Sequence, residues 1–90
     1  MPTLIAATAG QADSADVVVA AGSNPTFLLN AGASDVLPIN AVALIQAKTG
    51  TNYVTVGQID SLNNMKVLAA SGTFRVRKLA SVGVVGVDQN

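Results

Sequence analysis

Residues 42–60 read VALIQAKTGTNYVTVGQID, and they decide the fold class. In the centre, Lys48-Thr49-Gly50-Thr51-Asn52 holds a glycine and an asparagine, the residues that tolerate the positive φ of hairpin loops. Before it, Val42, Leu44, Gln46 and Lys48 alternate with Ala43, Ile45 and Ala47. After it, Tyr53, Thr55, Gly57 and Ile59 alternate with Val54, Val56 and Gln58. Residues two apart share a face of a strand, so each arm can bury one side. The run VALIQAK also suits a short helix, but the adjoining turn and YVTVGQI favour an antiparallel hairpin.

Outward from the hairpin the same grammar repeats. DVVVAA at 16–21 is rich in β-branched residues and stops at Gly22-Ser23-Asn24-Pro25. A strand is expected at 26–30, with Phe27 and Leu29 on one face, and an edge or crossing segment at 36–39, where Pro38 cannot donate to a ladder. Beyond the hairpin, 65–69, 73–79 and 82–87 read as strands separated by turn residues. In TFRVRKL, Phe74 and Val76 point inward and Arg75 and Arg77 outward. Seven to eight short strands at this spacing predict an all-β fold, a small antiparallel β-sandwich or barrel. Residues 1–15 are expected to form an N-terminal arm or a short edge strand, and 16–90 a single sandwich domain. MPTLIAATAG lacks a basic leader region, so the N-terminus is read as part of the mature chain.

Composition narrows the functional classes. The 90 residues include no His, Cys, Glu or Trp, so the commonest general base and the thiolate and imidazole zinc ligands are missing. The expectation is a non-enzymatic protein without a cofactor or metal. Asp13 and Asp16 flank Ser14 and could offer oxygen ligands to calcium, but a solvated turn is the better reading, because such sites gather several more ligands. No apolar run approaches the ~20 residues of a membrane-spanning helix, and no membrane association is expected.

Charge and hydropathy are the informative features. Charged residues are 11% of the chain, against about 25% in an ordinary soluble domain. Half of the residues are hydrophobic and the mean hydropathy is +0.49. A domain this small cannot hide that many, so subunit association or docking on a larger body is expected. The acidic residues Asp13, Asp16 and Asp35 lie in the first half, and every lysine and arginine lies between Lys48 and Lys78. Opposite halves could steer head-to-tail contacts, although scattered surface pairs of this kind contribute little. Arg75, Arg77 and Lys78 form the one basic cluster. They are candidate partner contacts, with Tyr53 as the one aromatic able to address a glycan. No exposed aromatic is expected beside the arginines, so no nucleic acid partner is expected.

The hairpin IQAKTGTNYVTVGQI, then Gly72-Thr73-Phe74-Arg75-Val76, then Val85-Gly86-Val87-Asp88, resembles the small β-sandwich decoration, or cement, proteins of tailed bacteriophage capsids. The resemblance covers residues 42–90. It implies a structural virion protein on the capsid exterior that binds the shell of major capsid protein, as a homo-oligomer such as a trimer, and stabilises it. The alternative is a receptor- or glycan-binding β module of a tail fibre, spike or surface adhesin.

Overall fold

In a computed structural model describing residues 3–34 and 36–90, the chain forms two antiparallel sheets, with no helix among the described residues. Nine strands succeed one another: β1 (Thr3–Thr8), β2 (Ala12–Asp13), β3 (Val17–Val19), β4 (Thr26–Asn30), β5 (Val42–Thr49), β6 (Asn52–Asp60), β7 (Met65–Val67), β8 (Gly72–Lys78) and β9 (Val85–Gln89). One sheet has the order β1-β9-β4-β7 and the other β2-β8-β5-β6, with β3 also on β8. This is the small all-β sandwich expected from the strand grammar. The segment at 36–39, read as an edge or a crossing between sheets, is loop in the crossing from β4 to β5 of the other sheet, and the last strand begins at Val85 rather than Val82.

The core forms where the two inner faces meet. Phe27 and Leu29 of β4 and Val85 and Val87 of β9 face Ile45, Ile59, Phe74 and Val76 of the other sheet, all in one apolar cluster. Branched aliphatics dominate it, each contributing burial at ~25 cal/mol per Å². The first strand is an edge strand: β1 lies on β9 and lends Ile5 to the core. After β1 the chain crosses to the second sheet, where β2 and β3 occupy successive stretches of the same β8 edge.

Ser14 bridges the break between them. Its amide donates to the Val76 carbonyl (2.8 Å), and its hydroxyl accepts from the Val76 amide (2.9 Å). The hydroxyl expected in a solvated turn therefore completes a sheet ladder. The hairpin forms with a shorter loop than the five residues 48–52: Lys48 and Thr49 pair with Tyr53 and Asn52, leaving Gly50 and Thr51 at the turn, with Gly50 at φ 66°, where an L side chain is strained.

The second arm of the hairpin departs from strict alternation. Ile45 pairs with Gly57 and Gln46 with Thr55, so Val56 is an extra, unpaired residue. This β-bulge shifts the side-chain parity on its hairpin-tip side. Gly57 and Ile59 pair with Ile45 and Ala43 toward the core. Tyr53 and Thr55, expected on that same face, instead pair with Lys48 and Gln46 on the outer one. The bulge is what carries Tyr53 to the charged face.

Candidate functional site

The outer face of the β8-β5-β6 sheet gathers a paired network of five of the ten charged side chains. In β8, Arg75 is opposite Gln46 of β5 and Arg77 opposite Leu44, and Asp13 of β2 pairs with Arg77 from the other side. The Arg77 guanidinium donates twice to the Asp13 carboxylate, at 2.8 and 3.2 Å, and Arg75 lies 3.6 Å from the same carboxylate. The Arg75 Nε donates to Gln46 Oε1 (2.7 Å), and its guanidinium stacks 3.6 Å from the centroid of the Tyr53 ring. The Tyr53 hydroxyl donates to Asp16 Oδ1 (2.6 Å), and Lys48 donates to Asp16 Oδ2 (3.2 Å).

Asp13, Asp16, Lys48, Tyr53 and Arg77 are each held in their ordinary charge state by their partners. The Arg77 hydrogen bond lowers the Asp13 carboxyl despite partial desolvation. The Tyr53 hydroxyl and then Lys48 lower Asp16, and that carboxylate raises both Tyr53 and Lys48. Asp13 raises Arg77 in return. None of these shifts prepares a general base or a nucleophile for neutral pH. Asp13 and Asp16, weighed as calcium ligands, face different cations, and the described residues hold no cluster of three or more acidic, His or Cys groups.

Three of the four candidate contact residues therefore meet on one face: Tyr53, Arg75 and Arg77. The expectation that no aromatic lies beside the arginines is overturned, because the Val56 bulge brings Tyr53 under Arg75. One face of that ring is consequently occupied by the guanidinium. The opposite-sign halves are not separated in space either: Asp13 and Asp16 from the first half pair with Arg75, Arg77 and Lys48 from the second. With these five charges neutralised within one subunit, they supply no head-to-tail steering.

Lys78 requires a correction. It was expected at the surface with the arginines, yet it is 0% exposed. It shares its side of β8 with Phe74 and Val76, and β-strand alternation turns it inward. Its Nζ donates to both the carbonyl and the Oγ1 of Thr8, each at 2.6 Å, and so ties the second sheet to the end of β1. Among the described residues no carboxylate pairs with this amine, and burial lowers Lys78 from its ordinary 10.5. Among the described residues no buried polar side-chain atom lacks a partner.

Sequence reasoning missed a second feature, at one end of the sandwich. Loops 36–41, 61–64 and 79–84 converge there. The Ser61 hydroxyl donates to the Ile39 carbonyl (3.1 Å), and the Val82 amide donates to Asn40 Oδ1 (3.2 Å). These contacts bring together Ile39 (90% exposed), Leu62 (90%) and Val82 (82%), with Val84 beside them. Asp60 lies at this end, but its carboxylate accepts from the amides of Leu62 and Asn63, both at 2.9 Å. Among the described residues, then, this pole presents branched aliphatics and no unengaged charge. Each residue lies in a turn-rich loop whose neighbours in space are remote in sequence, so periodicity gives no sign of it.

No family model matches the chain, and neither a curated protein nor a solved structure matches it significantly.

Proposed function

We propose that the protein is a non-enzymatic structural component of a virion that docks on the outside of a bacteriophage capsid and stabilises the shell. The observation that carries this reading is the apolar pole, Ile39, Leu62 and Val82, on a chain whose sheet-face charges, Asp13, Asp16, Lys48, Arg75 and Arg77, are paired with one another. A surface of this kind favours a protein partner, since exposed branched side chains gain by leaving water. The resemblance over residues 42–90 supports a capsid shell as that partner, and a homo-oligomer as the form in which it binds. Repeated contacts in an oligomer multiply a weak individual one.

Co-sedimentation with purified capsids stripped of this protein tests the reading. The wild-type chain should pellet with assembled shells, remain in the supernatant with free capsid subunits, and raise the temperature at which the shells rupture. Equal behaviour toward both, or no binding to either, counts against it. The other reading, a glycan- or receptor-binding module, relied on Tyr53 as an open aromatic platform. The Arg75 guanidinium on that ring weakens it. A glycan array on which Tyr53→Ala abolished a wild-type signal would restore it.

A further inference from the structure

The pairing of β1 with β9 is unlike the other ladders. Across the six residues of β1 only three positions find partners: Thr3 with Asp88, Ile5 with Val87, and Thr8 with Val85, with a register shift in each interval. Ile5 is the one β1 side chain that is buried. The two bulges bend the β1 backbone over Gly86, where a Cβ would stand 2.7 Å from the Ile5 carbonyl oxygen and 2.9 Å from the Ala7 nitrogen. Gly86 is thus a seat shaped for a passing backbone. Beyond Thr8 the chain leaves this sheet through Gly10 and Gln11, and nothing lies within 4 Å of a Cβ built on Gly10.

From this geometry we propose that β1 is exchanged between two copies of the chain, each lending its first strand to β9 of the other. The occupant is specified by what β1 leaves behind. Without that strand, the core loses Ile5 and one edge of β9 loses its ladder partner. The seat admits an extended strand with a backbone against Gly86, an apolar side chain at the Ile5 position, and a carbonyl and hydroxyl within reach of the Lys78 amine. A second copy's β1 meets every one of these requirements, because exchange reproduces the same contacts between chains. Swapping an element in this way demands only that its hinge open, which makes it a low-cost route to a dimer. The bare, uncrowded Gly10 provides such a hinge. This inference is independent of shell binding.

The chain has no cysteine, so introduced ones report without background. Thr3→Cys and Asp88→Cys single variants would be unfolded together, refolded over a range of concentrations and then oxidised. The expected product is a mixed disulfide between the two variants, of twice the 9.0 kDa chain mass, increasing with refolding concentration. Adding Gly86→Ala to the Asp88→Cys chain should abolish it, by denying the incoming strand its seat. A second variant lacking Gly10 and Gln11 cannot return β1 to its own β9, and should run as a dimer in light scattering. The proposal is overturned if no mixed disulfide forms at any concentration while a Thr3→Cys/Asp88→Cys double variant closes within one chain. It is equally overturned if the shortened chain folds as a monomer with β1 undocked.

Discussion

Arg77→Ala removes a solvent-exposed bidentate pair, whereas Lys78→Ala removes a buried amine that bridges two sheets. The first should cost less than about 1 kcal/mol, as exposed pairs do. The second should cost about 2–4 kcal/mol, because it leaves a void between the sheets and removes two charge-assisted hydrogen bonds to Thr8. Urea unfolding midpoints of the two variants check this ordering, and equal losses would contradict the burial of Lys78. The titration behaviour differs as well. Burial depresses the Lys78 amine in the folded chain, so across the window below 10.5 the unfolded chain binds the additional proton. Stability from this source therefore rises with pH through that window, and Lys78→Met should flatten the rise. Asp13, Asp16 and Asp60 are each depressed below their ordinary 3.8, Asp60 chiefly by the backbone amides of Asn63 and Leu62. Their contribution is complete above that value and lost as pH falls below it, which thermal melts between neutral and strongly acidic pH would reveal. The inward direction of Lys78 was legible in its alternation with Phe74 and Val76. Its chemistry argued for the surface, and strand geometry prevailed.

Two strands owe their roles to a local irregularity. Deleting Val56 removes the unpaired residue while leaving Ile45 opposite Gly57 and Gln46 opposite Thr55, so β6 should become regular with Tyr53 still on the outer face. The expected result is retention of the cation–π contact, worth about 0.5–1 kcal/mol at an exposed site, and of the ring-current shift on the Arg75 side-chain protons in NMR. Loss of the shift would mean that the bulge itself, and not the cross-strand pairing, places the ring. In β1 the decisive position is Gly86. Gly86→Ala puts a methyl group against backbone atoms that cannot swing aside, at a cost of about 1–3 kcal/mol. Amide hydrogen exchange should then show protection lost selectively across β1, while β5 and β8 remain slow. A glycine within the valine run of 82–87 signals a bulge or close approach, so a special role for Gly86 could be read in advance. Which backbone approaches it could not, because β1 is almost eighty residues away in the chain.

Across the molecule, apolar surface emerges at one end and also on the strands, where Val18, Val54, Val56, Met65 and Val67 are exposed. The ion-paired network covers the outer face of one sheet, and the exposed branched residues Ile39, Leu62 and Val82 crown one end. Leu62→Asp should leave the fold within about 0.5 kcal/mol of wild type, as surface substitutions do. It should nevertheless abolish co-sedimentation with capsid shells by placing an unpaired charge in the contact. Val18→Asp, on the highly exposed outer face of β3, provides the control and should pellet normally. If the control loses binding and Leu62→Asp retains it, the contact surface lies on the sheet and not at the pole.

The all-β class, the hairpin and the inward faces of β4 and β8 were determined by the sequence alone, because alternation and turn residues are local signals that two or three neighbours suffice to express. The excess of apolar residues over what so small a core can hide was equally plain from composition. Only the tertiary structure decided where that excess emerges, since the pole is assembled from three loops far apart in the chain. It also decided that Asp13 and Asp16 neutralise the later cations, that Val56 bulges and carries Tyr53 outward, and that β1 crosses Gly86. Each of these depends on the register between distant strands, which the packing of the two inner faces selects and no single segment encodes.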